Sequence, residues 1–128
     1  MCVPAEPATT TTRLLTPWLA LMRGRLRRAG LSCNDRIFGL AHSGAMDEAR
    51  LLAILSALPA GVTEIYLHPA TVSGAAIAPS MRAYRHRDEL GALLSPAVRA
   101  RLADPAVQLG SYADIVQFRA DFRRHAAT

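Results

Sequence analysis

The chain contains no lysine, and its positive charge comes from 15 arginines, which outnumber the ten acidic residues and give a net charge of +5. It has only two cysteines, Cys2 and Cys33, without the C-x-x-C spacing of a redox or zinc motif. Two cysteines cannot build a disulfide framework, so a reduced, cytoplasmic setting is favoured. No apolar run approaches the roughly 18 residues of a membrane span. The first residues lack the basic and apolar segments of a signal peptide, so we expect none.

Several motifs that would indicate a function directly are also missing. There is no G-x-x-x-x-G-K-[ST] or G-x-G-x-x-G phosphate-binding loop and no G-x-S-x-G nucleophile elbow. The four histidines, His42, His68, His86 and His125, are too far apart in sequence to form a close metal-binding pair. We therefore expect no metal site built by this chain alone.

The chain does have the composition of a folded domain, with 51% hydrophobic and 20% charged residues. Its basic excess lies in residues 1–33, which carry five arginines and one acidic residue, whereas residues 34–128 carry ten arginines and nine acidic residues. We expect residues 1–12 to form an extended linker and residues 13–30 a basic amphipathic helix. Such a helix is usually a solvated face, but it also fits phosphates or an anionic membrane surface. No nucleic-acid-binding motif accompanies it, so nucleic acid is not an expected partner.

The basic helix has clear signals at its ends. Thr16 and Pro17 predict its start, as an N-cap followed by a proline in the first turn, and Gly30 predicts its end. Its apolar stripe is expected to be buried and consists of Trp18, Leu19, Met22, Leu26 and Ala29.

Residues 31–128 alternate between short apolar strands and helices, in three strand–helix units. Strands are predicted at 36–41, at 62–67 and around Val107 and Leu109. The helices that follow are predicted to open at Ser43 or Gly44, at Asp88 and Glu89 with a restart at Ser95 and Pro96, and at Ser111 and Asp114. The first of these helices is apolar almost all round, as a helix buried between layers would be.

This alternation predicts an α/β fold, a parallel sheet covered by crossover helices, in a single domain over residues 1–128. Three parallel strands leave both sheet edges unpaired. The domain is therefore expected to be incomplete, as a portion of a (β/α) barrel, and to associate with itself.

His68 is the strongest candidate for a catalytic residue. It is predicted at the carboxyl end of the strand over 62–67, where parallel α/β folds collect their active-site groups, and Pro69 restricts the direction of the chain after it. A histidine there fits a general acid or base near neutral pH. A hydrogen-bonded strand end without chemistry is the alternative interpretation.

Three other positions carry weaker signals. Ser43 and Gly44, at a predicted helix start, fit a contact to an anionic or polar substrate group, with a plain helix cap as the alternative. His86 lies among charged residues and is expected to be exposed. Asp35 follows an asparagine and is expected to shape a turn.

One run, GVTEIYLHPAT at residues 61–71, contains His68 and Pro69 and is the most specific part of a family resemblance. The other matching runs are VPAEP at 3–7, NDRIFGL at 34–40, SGAM at 43–46, LLS at 93–95 and VQLG at 107–110, together with Tyr84, Glu89 and Leu90. These runs extend over nearly the whole chain. They resemble the YdjC-like (ChbG/HpnK) carbohydrate deacetylases, and among these the hopanoid-biosynthesis HpnK proteins.

The resemblance implies a (β/α) barrel related to polysaccharide deacetylases, and a hydrolase that removes an N-acetyl group from an amino sugar or a glycolipid that carries one. It also implies a divalent metal, Mg or Zn, that polarises the acetyl carbonyl and activates a water molecule. Of the residues present, only His68 matches a histidine of the family's active face, as an acid–base group or a substrate contact.

The chain departs from the family pattern at the metal site. The resemblance places the family's metal ligands in an N-terminal half, in an Asp-Asp motif and later histidine motifs, and none of these occurs here. We therefore expect the chain to correspond to the C-terminal part of the family and to be inactive alone. A truncated gene, a misassigned start and half of a split enzyme are all open. The alternative functions are a non-catalytic remnant and a module that binds phosphate or anionic lipid through the basic helix.

Overall fold

The computed structural model describes residues 10–71 and 78–117, with side chains from residue 16 onward in the first range. Their Cα atoms cluster into two units. The described part of the first unit comprises residues 10–38, 59–65 and 110–117, and that of the second comprises residues 39–58, 66–71 and 78–109. In chain order the elements are α1 (Thr10–Arg28), β1 (Arg36–Phe38), α2 (Glu48–Ser56), β2 (Thr63–Ile65), a 3-10 turn (Pro79–Met81), α3 (His86–Leu94) and α4 (Pro96–Leu102).

The first unit contains a parallel pair of strands, β1 and β2, which confirms the parallel arrangement predicted for them. Arg36 is opposite Thr63 and Phe38 is opposite Ile65. Both strands are shorter than predicted, with three residues each. Asp35 ties their beginnings together, because its N–H donates to the carbonyl of Val62 at 2.8 Å and its carboxylate accepts the N–H of Val62 at 2.9 Å. Asp35 therefore has a structural role, but it joins two strands rather than shaping a turn as predicted.

Helix α1 starts earlier than the sequence signals predict. It begins at Thr10 and continues through Pro17, so the predicted start at Thr16 and Pro17 is wrong. Residues 10–12, predicted as part of the linker, are also helical. The proline stays inside the helix at the cost of the hydrogen bond that its missing N–H would make. The predicted end is confirmed: Gly30 has φ +69°, and the N–H of Leu31 reaches back to the carbonyl of Leu26 at 2.9 Å.

The buried side of α1 is narrower than predicted. Leu19 and Leu26 are buried together with Cys33, and Met22 packs against them. Trp18, predicted in the same stripe, is 58% exposed, because one residue along a helix turns the side chain by about 100°.

In the second unit, helices α2, α3 and α4 pack on one another. Asp47 caps α2 by accepting the N–H of Arg50 at 3.1 Å, so the predicted opening at Ser43 or Gly44 is wrong. The prediction that α2 is buried all round is also wrong. Leu51 and Leu55 are its buried residues, and its other side is partly or fully exposed.

The break between α3 and α4 lies where the sequence predicts it. The hydroxyl of Ser95 accepts the N–H groups of Ala97 and Val98, at 3.2 and 3.4 Å, and Pro96 occupies the first helical position. The same hydroxyl donates to Glu48 on α2 at 2.8 Å. The Ser95 cap therefore also links α4 to α2.

The predicted third strand is absent from the described residues, where residues 103–111 form no strand. The N–H of Val107 is bonded within a local turn instead, since it donates to the carbonyl of Asp104 at 2.8 Å. The described part of the chain is thus a mixed α/β structure with a two-stranded parallel sheet, and no barrel is formed within it.

Ser111 and Asp114 come together as the predicted cap, with the Asp114 carboxylate accepting the N–H of Ser111 at 2.8 Å. The described residues end in a helical turn at 115–117. The rest of the predicted last helix, His125 and the first nine residues of the predicted linker lie outside them. No helix among the described residues is both long and apolar enough to cross a membrane.

Two glycines of the second unit, Gly39 and Gly91, allow the backbone conformation at Gly39 to be tested by substitution. Gly39 has φ +98°, and a Cβ atom there would collide with the carbonyl oxygen of Tyr66, whereas Gly91 in α3 has open space around it. We expect Gly39→Ala to lower the free energy of unfolding by more than about 1 kcal/mol. Gly91→Ala is expected to raise it by up to about 1 kcal/mol, because alanine is the better helix former. Urea unfolding of the three proteins measures both changes, and a Gly39→Ala variant as stable as the parent would contradict the conformation.

Candidate functional site

His68 lies three residues after the end of β2 along the chain, in the second unit, rather than directly at a strand end as predicted. Its ring nitrogen Nε2 lies 3.0 Å from the hydroxyl of Tyr66, and the two rings meet edge to face with centroids 4.5 Å apart. His68 is half-buried and Tyr66 is 39% exposed. The His68–Tyr66 pair therefore presents two groups that can give or accept a proton at an accessible edge.

Tyr84 connects His68 to the other predicted site residues. Its ring packs edge-on against His68 with centroids 4.9 Å apart, and its hydroxyl lies 2.9 Å from the hydroxyl of Ser43. Gly44 has φ +78°, and a Cβ atom there would overlap the Tyr84 ring. Ser43, Gly44 and His68 are thus brought together, although not by a helix N-terminus, because α2 begins later, at Glu48.

Two side chains of α3 lie beneath this group. His86 is 4% exposed, which overturns the expectation that it is exposed, and Glu89 is fully buried. Nδ1 of His86 lies 2.6 Å from the carbonyl oxygen of His68, and Glu89 accepts the N–H of His68 through Oε2 and that of Met46 through Oε1, the latter at 3.1 Å. We call Ser43, Gly44, Tyr66, His68, Tyr84, His86 and Glu89 the His68 cluster.

An ion-pair network borders the cluster at the start of α2. The Asp47 carboxylate lies 2.6 Å from the guanidinium of Arg50 and 3.1 Å from that of Arg85. The hydrogen bond from the backbone N–H of Arg50 has the largest effect on the pKa of Asp47 and lowers it. Burial has the next largest effect and raises it, and the hydrogen bond from Arg85 and the charges of Arg50 and Arg85 lower it, so that the pKa lies below its ordinary value of 3.8. The backbone N–H of Arg85 also donates to the carbonyl of Gly44 at 2.7 Å. These contacts fix the turn that carries Ser43.

The described residues do not fit the divalent metal that the family resemblance implies. Among them, no three histidine, cysteine, aspartate or glutamate side chains come together as a set of metal ligands. The carboxylate of Glu89 is already bonded to two backbone N–H groups, and Nδ1 of His86 is bonded to the His68 carbonyl. What the His68 cluster can do is hold a proton and offer hydroxyl groups to a polar ligand.

Sequence reasoning found His68, Ser43 and Gly44 but missed the other members of the cluster. Two spacings carry some signal. Tyr66 and His68 are two residues apart, which places them on one side of an extended chain, and His86 and Glu89 are three apart, which places them on one side of a helix. The partners that these sides face are 16 to 43 residues away in sequence, and no local pattern identifies them.

A family model described as YdjC-like protein matches residues 3–104, which is most of the chain and includes the whole His68 cluster. No curated protein matches the chain, and no solved structure does.

The Asp47 network predicts a pH-dependent stability. Because the folded-state pKa of Asp47 is lowered, its carboxylate stabilises the fold fully above pH 3.8, and this contribution is lost as the pH falls through the folded-state value. Asparagine caps a helix as well as aspartate does, so Asp47→Asn removes mainly the charge. We expect the variant to be less stable by about 0.5–1 kcal/mol near neutral pH, since both arginine partners are partly exposed.

Urea unfolding of the parent and the Asp47→Asn variant at a series of pH values tests this. The difference between the two proteins should shrink below pH 3.8. A difference that does not change with pH would show that the charge of Asp47 contributes nothing to stability.

Proposed function

The chain belongs to the YdjC-like protein family, which is related to carbohydrate deacetylases, and we propose that it takes part in removing an N-acetyl group from an amino sugar. The observation that carries this proposal is the His68–Tyr66 pair, an accessible imidazole and phenol 3.0 Å apart. It lies in the run that is most specific for the family resemblance.

The reaction needs a group that moves protons at the acetamide. Water adds to the acetyl carbonyl, the carbon–nitrogen bond breaks, and the leaving nitrogen takes up a proton to give an amine and acetate. In this proposal Nε2 of His68 delivers that proton or takes one from the attacking water, and the Tyr66 hydroxyl orients the ring. General acid–base catalysis of this kind contributes about a hundredfold or more to the rate.

The proposed substrate contacts are the polar groups next to His68. The hydroxyl of Ser43, which is shared with Tyr84, fits a sugar hydroxyl, and Gly44 contributes indirectly by leaving room for the Tyr84 ring. The likeness to HpnK proteins in the runs around residues 34–46 and 61–71 supports a hopanoid-linked or other glycolipid amino sugar as the substrate.

The divalent metal of the family is placed outside the His68 cluster in this proposal. Its ligands would come from the Asp-Asp and histidine motifs of an N-terminal half, which this sequence does not contain, so the chain would supply the C-terminal part of the active site. The described residues then contribute proton transfer and substrate contacts.

The proposal predicts deacetylation that depends on both parts and on His68. The chain is mixed with, or fused to, the N-terminal half of a YdjC-like protein in the presence of Mg²⁺ or Zn²⁺, and acetate release is measured on N-acetylglucosamine and on lipid-linked N-acetylated amino sugars. We expect no turnover by the chain alone and turnover by the pair. His68→Gln should lower kcat by about a hundredfold or more with little change in melting temperature.

The matched control is His42→Gln, since His42 lies exposed in the turn before Ser43 and outside the His68 cluster. It should leave kcat unchanged. Full activity of His68→Gln with a lower melting temperature would mean that His68 is structural, and the absence of acetate release from the pair on every substrate would contradict the deacetylase function.

A second candidate function, contact with an anionic membrane surface, is favoured by the exposed side of α1. Trp18, Leu21, Arg25 and Arg28 follow one another at helical spacing, and Trp18 and Leu21 are 58% and 45% exposed. The sequence of α1 contains no acidic residue. A tryptophan and a leucine next to arginines are typical of helices that lie in the interface of anionic bilayers.

Because Trp18 is the only tryptophan of the chain, its fluorescence reports directly on this contact. We expect its emission to shift to the blue with vesicles that contain phosphatidylglycerol, not with phosphatidylcholine vesicles, and the shift to weaken with salt. Arg25→Gln combined with Arg28→Gln should weaken binding on the order of tenfold or more.

The control for this experiment is the combination of Arg87→Gln and Arg99→Gln. It makes the same change in charge at two exposed arginines of the second unit. Equal loss of binding in both double variants would indicate attraction by net charge alone, and an unchanged Trp18 emission would contradict membrane contact through α1.

A further inference from the structure

Both polar backbone groups of His68 are bonded to side chains of α3. The N–H of His68 donates to Oε2 of Glu89, and its carbonyl oxygen lies 2.6 Å from Nδ1 of His86. His86 and Glu89 are three residues apart and project from the same side of the helix. One rigid element therefore holds the His68 peptide at both ends.

The bond to His68 identifies the donor nitrogen of the His86 ring. A carbonyl oxygen only accepts hydrogen bonds, so Nδ1 of His86 is the donor, and in the neutral ring Nε2 carries no hydrogen. The ring is 4% exposed, and among the described residues Nε2 has no hydrogen-bond partner. His86 is thus shielded from solvent and acts through the carbonyl of His68.

Glu89 is fully buried, and each of its carboxylate oxygens accepts one backbone N–H, from His68 and from Met46. Burying a carboxylate is costly unless its oxygens are hydrogen-bonded. Glutamine could not replace it, because a side-chain amide has a single acceptor oxygen and would turn an N–H group towards one of the two backbone donors. The carboxylate thus accepts hydrogen bonds from the backbone of two separate chain segments.

We propose that Glu89 and His86 are positioning residues for His68, which rests on the acid–base role proposed for His68 above. They hold its peptide so that the ring stays against Tyr84 while Nε2 meets the Tyr66 hydroxyl at the accessible edge. Neither side chain is a catalytic residue, since neither needs to touch substrate. Their effect on the reaction passes through the position of the His68 ring.

A purely structural role would change stability and leave the His68 ring where it is. The two roles are separated by nuclear magnetic resonance of the full chain, because the ring protons of His68 lie between two aromatic rings, with centroids 4.5 Å away in Tyr66 and 4.9 Å away in Tyr84. Their chemical shifts report the position of the ring directly.

The variant is Glu89→Gln, and the matched control is Asp88→Asn, which removes the same charge from the neighbouring, exposed residue of α3. We expect the His68 ring shifts to move in Glu89→Gln and to stay in place in Asp88→Asn. In the complemented enzyme, Glu89→Gln should lower kcat about tenfold to a hundredfold at a nearly unchanged KM, as misplaced catalytic groups do.

A second pair of variants keeps the test decisive if Glu89→Gln does not fold. His86→Asn places an amide donor near the position of Nδ1, and His86→Phe keeps a ring but removes the donor. We expect the His68 ring shifts to match those of the parent in the asparagine variant and to differ from them in the phenylalanine variant. Parental His68 shifts in folded Glu89→Gln, or in folded His86→Phe, would overturn the proposal.

The same measurements separate this inference from the proposed function. If the parent and its N-terminal half release no acetate while the His68 ring still responds to Glu89→Gln, the positioning is supported and the deacetylase function fails. If acetate is released but the His68 ring shifts stay unchanged in both Glu89→Gln and His86→Phe, the deacetylase function is supported and the positioning role is overturned.

Discussion

The buried carboxylate of Glu89 is the group on which the arrangement of the second unit depends. It joins two chain segments to α3, through the N–H of Met46, 43 residues away, and the N–H of His68, 21 residues away. A buried donor left without an acceptor costs about 1–3 kcal/mol, so an apolar side chain in this place would leave two such penalties. The segment before α2 and the segment that carries His68 are therefore both hydrogen-bonded to α3 through Glu89.

The packing of the aromatic residues of the His68 cluster depends on these hydrogen bonds of Glu89. The ring of Tyr84 packs between His68 and His86, with centroid distances of 4.9 and 5.7 Å, and closes over Gly44, where no other residue leaves room for it. Its hydroxyl meets that of Ser43. These contacts hold an imidazole, a phenol and a hydroxyl group close together at one accessible edge. Such groups can transfer protons and form hydrogen bonds with sugars.

Local sequence signals were reliable where the structure satisfies its hydrogen bonds locally. Gly30 ends α1, and Ser95 with Pro96 separates α3 from α4, because in both places neighbouring residues complete the bonding of the helix end. The signals failed where the same local sequence is compatible with two different backbone structures. Pro17 fits a helix start as well as a tolerated interior position, and the stretch around Val107 is apolar enough for a strand but closes into a turn on Asp104.

The sequence by itself determined the α/β character, the parallel pairing of β1 with β2 and the YdjC-like resemblance, since periodicity, caps and a specific run of residues can be read from the chain alone. It also singled out His68 as a candidate catalytic residue. Only the tertiary structure decided that His86 is buried and that Tyr84 and Glu89 contact His68. These contacts join a side chain to a backbone group or a ring far away in the chain. Their energy depends on burial and on the geometry of the hydrogen bond, and neither exists until the segments have come together.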